Sequence, residues 1–150
     1  MSMIIREAVE ADVLPLQHFI SKAGVPQDFI LRDWKLFIIA EGDQREIIAT
    51  AALQPVTEGE TLIRSVIVDA DKVNGSFVLK MLETALQYAW QKEADVVYVM
   101  ATQASDMLEK LGFSKVPQEE LSEDMQQIPE VAKYLDKRGY LYRQHRPVGK

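Results

Sequence analysis

Few residues in this chain of 150 have the type and spacing that chemistry demands. There is no cysteine, which removes a thiolate nucleophile, a disulfide framework and a cysteine-rich zinc site together. The two histidines, His18 and His145, stand far apart, with no metal-ligand spacing around either. No Ser-His-Asp set with an elbow-like glycine frame is present, and Gly42, Gly59 and Gly75 do not make a P-loop. What remains is polar residues near the ends of expected elements. Asn74, Gly75 and Ser76 have the character of a helix start, where backbone N–H groups lack intrahelical partners and an anion is favoured. Glu119, Glu120, Glu123 and Asp124 form an acidic run, a solvated loop and helix start by composition, whose functional reading is attraction of a cationic amine. Ser65, Tyr98, Tyr140 and Tyr142 carry hydroxyls whose direction depends on the pleat of a sheet. Met100 and Met107 are core fillers.

The elements that must position these residues follow from apolar spacing. Met3 to Arg6 is a short apolar opening. From Ala11 to Ala23, Val13, Leu16, Phe19 and Ile20 recur at helical spacing, and Gly24 stops the helix. Pro26 to Trp34 predicts a short helix or turn. Leu36 to Ala40 and Glu46 to Leu53 are β-branched runs around the turn-rich Glu41-Gly42-Asp43-Gln44, which predicts a hairpin. Pro55 to Glu60 reads as a second turn and Thr61 to Val68 as the next strand. Between Phe77 and Lys92 the residues Val78, Met81, Leu82, Ala85, Leu86 and Ala89 form one apolar stripe, the clearest helix of the chain. Val96 to Thr102 has the low polarity of a strand covered on both faces. A short helix at Ser105 to Leu111, a strand at Phe113 to Val116, a helix at Val131 to Lys137 and a strand at Tyr140 to Gln144 complete the order.

A hydrophobic content of 47% and the absence of a long polar tract predict one domain with a continuous core. A net charge of -6 argues against phosphate-driven nucleic-acid binding. Lys137, Arg138, Arg143, Arg146 and Lys150 make the carboxyl end locally basic, which reads as solvated surface. Met1 to Glu10 lacks a basic segment followed by an apolar one, and no apolar run approaches the roughly 20 residues that span a bilayer. The expectation is a cytoplasmic protein without membrane or nucleic-acid partners.

Local text narrows this layout. Ile4-Ile5-Arg6-Glu7-Ala8-Val9-Glu10-Ala11-Asp12 resembles the opening strand and helix of the GCN5-related N-acetyltransferase (GNAT) superfamily. Thr61-Leu62-Ile63-Arg64-Ser65-Val66-Ile67-Val68-Asp69 is similar to its fourth strand. Glu109-Lys110-Leu111-Gly112-Phe113 matches a frequent closing phrase, and with Val116-Pro117-Gln118-Glu119-Glu120-Leu121 it resembles the branch that acetylates amino acids or small amines. The resemblance covers nearly the whole chain. It implies an α/β fold with a single mixed central sheet flanked by helices on both faces. It also implies transfer of an acetyl group from acetyl-CoA to the primary amine of a small or amino-acid-like molecule, and it is compatible with a homodimer.

The resemblance places the pantetheine arm where the strands Thr61 to Val68 and Val96 to Thr102 part, on backbone groups of Val66, Ile67 and Val68. It places the diphosphate on the loop Asp69 to Phe77. The family pattern there is Arg or Gln, two residues, Gly, one residue, then Gly or Ala. Without a gap the three positions fall on Val73, Ser76 and Val78; shifted by one they fall on Lys72, Gly75 and Phe77. Asn74 lies within the loop in both registers. Attack on a thioester requires a neutral amine and a protonated or stabilised leaving thiolate. The family's frequent tyrosine is replaced here by Met107 and Leu108. Thr102 and Gln103 leave their strand at the mouth of the gap and are placed to orient an amine or its carboxylate. The competing expectation is a noncatalytic module that senses acyl-CoA or binds a protein partner.

Overall fold

The structure is a computed structural model and describes residues 4–24, 33–101, 105–136 and 139–147. Its strands form one seven-stranded sheet in the order β1-β2-β3-β4-β5-β7-β6. The strands are β1 (Ile4–Glu7), β2 (Phe37–Glu41), β3 (Ile47–Thr57), β4 (Glu60–Val68), β5 (Val96–Ala101), β6 (Ser114–Lys115) and β7 (Tyr140–His145). Pairing of β4 with β5 is parallel, whereas β1 with β2, β2 with β3, β5 with β7 and β6 with β7 are antiparallel, so the sheet is mixed. Its helices are α1 (Val13–Lys22), α2 (Phe77–Gln91), α3 (Asp106–Lys110), α4 (Glu123–Gln126) and α5 (Pro129–Asp136). The chain divides into two compact units, Met1–Leu53 with Ser65–Ala85 and Gln54–Arg64 with Leu86–Lys150.

In the first unit the helical spacing of Leu16 and Ile20 puts both on one face of α1, where they are buried with Ala8, Phe37, Ile39 and Ala52. The helix is preceded by a 3-10 turn at Glu10–Asp12 and is followed by Gly24, whose φ of 76° suits a residue without Cβ. Arg6 ties this start to the sheet. Its guanidinium donates to both oxygens of Asp12, at 2.7 and 2.9 Å, and to Oε1 of Glu41 at 2.8 Å. The stripe expected from Phe77 to Lys92 forms α2, which enters the first unit with Met81, Leu82 and Ala85 buried and continues into the second with Leu86 and Ala89 buried.

The second unit is built around Leu62, Tyr98, Leu121, Met125, Ile128, Val131 and Leu141. Ser105 caps α3 by accepting the Leu108 N–H at 3.1 Å, and Ser122 caps α4 by accepting that of Met125 at 3.1 Å. The helix start expected of the acidic run is present, with Glu123 and Asp124 opening α4, and Glu119 and Glu120 lie in a 3-10 turn before it.

Two expectations are corrected. Pro55 lies inside β3, and the turn is confined to Glu58 and Gly59. The last residue of β3 opposite β2 is Ala52, and beyond it a proline has an open strand edge to occupy. The basic carboxyl end is also more than solvated surface. Arg143 meets Glu120 at 2.6 Å, while Arg146 donates to the carbonyls of Ala94 and Trp90 at 3.0 and 2.6 Å. Lys137, Arg138 and Lys150 of that cluster lie outside the described residues, as do residues 26–32 of the expected helix before Trp34; Trp34–Leu36 is a 3-10 turn.

Candidate functional site

Parallel pairing of β4 with β5 runs from Glu60 opposite Val96 to Ile63 opposite Val99. Two residues later Ser65 has a φ of 54°, in the left-handed region that a side chain disfavours. The conformation is held from outside the strand: the hydroxyl of the fully buried Thr50 donates to the Ser65 carbonyl at 3.0 Å. Ser65 is half-buried and marks a backbone feature of β4. Val66, Ile67 and Val68 continue the strand past it, and the Asp69 N–H returns to the Ile48 carbonyl at 2.8 Å.

The loop after β4 is closed by its own backbone. N–H groups of Lys72 and Val73 both donate to the Asp69 carbonyl, and the Asp71 N–H donates to Asp69 Oδ1 at 3.0 Å. At the start of α2 the carboxamide oxygen of Asn74 accepts the Ser76 N–H at 3.0 Å and also the Ser76 hydroxyl. The next amides, of Phe77, Val78 and Leu79, donate three residues back to Asn74, Gly75 and Ser76. The Gly75 N–H has no acceptor among the described residues, and a Cβ added at Gly75 would meet nothing within 4 Å. Gly75 is exposed, so its amide is a candidate contact for an anion, joined by the Ser76 amide if the exposed Asn74 side chain turns away. Phe77 and Val78 are half-buried, whereas Lys72 is exposed and 3.7 Å from Glu46. Such an exposed pair binds weakly and yields to a stronger anion.

A cleft of about 780 Å³ in the first unit is lined by Ile67, Val68, Asp69 and Lys72, together with His18 and Lys22 of α1. Of the sequence-predicted cofactor residues it brings together Ile67, Val68 and Lys72; Val66, Val73, Asn74, Gly75, Ser76 and Phe77 do not line it. Arg6, which also faces the cleft, is neutralised by Asp12 and Glu41. The Arg6 hydrogen bonds hold the Asp12 carboxyl below its ordinary value despite partial burial.

The hydroxyl candidates separate by burial. Tyr142 has no exposed surface, and its oxygen accepts the Ser105 N–H at 2.9 Å. It anchors the start of α3. Tyr98 is 3% exposed and donates to Glu60 Oε2 at 3.2 Å. Burial foremost raises its pKa. Tyr140 is 38% exposed, stands opposite Ala101 at the end of β5, and has the Lys115 ammonium 4.4 Å from its ring centroid. Met107 is half-buried and Leu108 buried in α3, and neither offers a proton. Thr102 and Gln103 lie outside the described residues. Sequence reasoning missed Thr50, because a buried threonine in an apolar run has no local signature of the strand it will meet.

No protein-family model and no curated protein matches the chain. Solved structures do. The chain is similar to N-acetylglutamate synthase from Neisseria gonorrhoeae complexed with coenzyme A and N-acetyl-glutamate, at a TM-score of 0.75 and 17% identity over 97% of this chain; it spans 35% of that protein. It is similar to a GNAT-family acetyltransferase from Staphylococcus aureus Mu50 at a TM-score of 0.71 and 14% identity, over 96% of this chain and 99% of that one. It is also similar to the ribosomal-protein-S18-alanine N-acetyltransferase of Escherichia coli, at 0.71 and 14%, over 99% and 97%. The fold is that of the GNAT acetyltransferases.

Proposed function

We propose that the chain is an acetyl-CoA-dependent N-acetyltransferase acting on the primary amine of a small, amino-acid-like molecule. The observation that carries this reading is the course of β4: it leaves its register with β5 after Ile63, turns through a left-handed Ser65, and leads within one loop to the open amide of Gly75. Solved proteins of the same fold hold coenzyme A.

Bound acetyl-CoA would supply the acetyl thioester. Backbone groups of Val66, Ile67 and Val68 would hold its pantetheine arm as an added strand is held. The Gly75 and Ser76 amides would receive the diphosphate, with Lys72 leaving Glu46 to act as a point charge. This reading adopts the register of Lys72, Gly75 and Phe77. Phe77, at the final small position of that register, is half-buried. The attacking amine must lose a proton to a base or a water chain; Tyr142 and Tyr98 are buried, and Met107 and Leu108 accept none. Of the tyrosine candidates Tyr140 is the exposed phenol, opposite the end of β5, and the departing thiolate must itself be protonated or stabilised.

Calorimetry with acetyl-CoA, followed by a thiol-release assay over a panel of amines, tests the proposal. Binding and turnover are expected. No binding at millimolar acetyl-CoA would sink it. Binding without turnover would favour an acyl-CoA-sensing module, the alternative suggested by the apolar Met107 and Leu108.

A further inference from the structure

The ion pair of Arg64 is unequal in a way that a structural cross-link does not require. Its side chain is 9% exposed, against 24% for Arg143, 32% for Arg6 and 53% for Lys72 in the other described ion pairs. Nη1 of Arg64 donates to Gln54 Oε1 at 2.6 Å and Nη2 meets Glu130 Oε1 at 2.7 Å. Glu130, in contrast, is 45% exposed and stands in the first turn of the short helix α5. The cation is fixed inside the protein, while Glu130 stands at the surface.

A buried guanidinium must keep an anion beside it, because an uncompensated buried charge is strongly destabilising. A half-exposed carboxylate is free of that constraint: turned outward it is hydrated and still benefits from the helix start. Glu130 is therefore an exchangeable partner of Arg64. A second carboxylate of the same geometry can take the place of Glu130 without leaving the guanidinium uncompensated in either state, and arginine is the side chain best matched to carboxylate recognition. Burial alone pushes the Glu130 carboxyl up. The Arg64 hydrogen bond, a backbone N–H and the charges of Arg64 and Lys133 together bring it below its ordinary value, so the group exchanged near neutral pH is an anion.

Arg64 immediately precedes Ser65, where β4 turns left-handed, and lies two residues before Val66 on the same strand. We propose that Arg64 is the receptor for the carboxylate of an α-amino acid, and that Glu130 occupies this receptor in the free protein as an internal competitor. The identity of the ligand as acceptor rests on the acetyltransferase reading; the carboxylate site itself does not.

The test uses the full chain labelled with 15N-arginine, with the Arg64 Nε–H resonance identified by its loss in Arg64→Lys. L-Alanine, L-leucine and L-phenylalanine are titrated against ethylamine, isoamylamine and phenethylamine, the amines that lack their carboxylates. At least one amino acid should shift the resonance while its matched amine does not. Glu130→Gln, which keeps the shape of the competitor and removes its charge, should lower the midpoint about tenfold, the scale of one charge-assisted hydrogen bond. A resonance unmoved by all three amino acids in both the native chain and Glu130→Gln would overturn the proposal, as would equal shifts with the matched amines. Because this readout needs no acetyl-CoA, its failure is separable from failure of the acetyltransferase reading, which calorimetry with acetyl-CoA reports. If turnover is found, Arg64→Lys should raise KM for the amino acid about a hundredfold and leave KM for acetyl-CoA unchanged.

Discussion

The buried hydroxyl of Thr50 on β3 holds the carbonyl of Ser65 on β4 at 3.0 Å, and Ser65 is the residue of β4 with a left-handed backbone. One strand thereby fixes the bend of its neighbour. A left-handed conformation costs a residue with a side chain about 1–2 kcal/mol, a cost the Thr50 hydrogen bond helps to offset.

Separate substitutions distinguish the two sides of this relationship. Thr50→Val removes the donor, leaves the Ser65 carbonyl without it, and should cost about 1–3 kcal/mol in urea unfolding. Ser65→Gly relieves the backbone strain at the expense of unfolded-state entropy, and should leave stability within about 1 kcal/mol of the native chain. Ser65→Val should be clearly destabilising, because a β-branched residue is poorly accommodated at this φ. Equal effects of Ser65→Gly and Ser65→Val would show that backbone conformation does not govern this position.

At the helix start the opposing roles of Asn74 give a sharper prediction. Its carboxamide caps α2, yet it occupies the Ser76 amide that an incoming diphosphate needs. Replacing such a cap by glycine costs only a few tenths of a kcal/mol. Asn74→Gly should therefore keep the fold and tighten acetyl-CoA binding several-fold, with a stronger dependence on salt than the native chain. Weaker binding, measured by calorimetry at two ionic strengths, would mean that the carboxamide itself holds the ligand and that the Gly75 register is wrong.

How much of this was legible in the sequence depended on the range of the interactions involved. The stripe from Val78 to Ala89 predicts α2 almost to the residue, because helix burial repeats within a few residues. β4, β5 and β7 emerge from local runs of β-branched and aromatic residues within one or two positions of their observed ends. Pro55 misled because its acceptability depends on where β2 stops running alongside β3, a fact of pairing rather than of composition. The same holds for the site. Asn74 was legible as a cap, but the bond from Thr50 to Ser65 joins residues 15 apart, and that from Ser122 to Glu60 joins residues 62 apart. Neither distance leaves a periodic trace.

Arg6 and Asp12 make the first unit sensitive to acid. The carboxyl of Asp12 is held low chiefly by the hydrogen bonds of Arg6, with burial opposing them. A carboxyl whose folded pKa lies below its unfolded value of about 4 contributes stability that is complete above that value and is lost as pH falls through the folded one. Asp12→Asn should therefore cost about 1–2 kcal/mol at pH 7, discounted for the partial exposure of Arg6. That difference should shrink steadily below pH 4. Urea midpoints for both proteins between pH 7 and pH 2.5 provide the check, and a difference that stays constant across this range would exclude the ion pair as its source.

Arg146 gives the last prediction, in a region the sequence marked only as basic. Its guanidinium donates to the carbonyls of Trp90 and Ala94, and lies 5.6 Å from the ring centroid of Trp90, so it serves carbonyls at the carboxyl end of α2 and stacks on that helix's last aromatic residue. A cation there complements the negative end of the helix dipole and adds a second donor to the Trp90 carbonyl, which also accepts the Glu93 N–H. Arg146→Ala should lower stability by about 1–2 kcal/mol. Lysine keeps the charge but not the planar fork that reaches two carbonyls, so Arg146→Lys should recover part of the loss and no more. Native-state hydrogen exchange adds the spatial test: amides of Gln91, Lys92 and Ala94 should lose protection in Arg146→Ala before those of Met81 and Leu82 do. Uniform loss along α2 would assign the effect to global stability and not to the helix end.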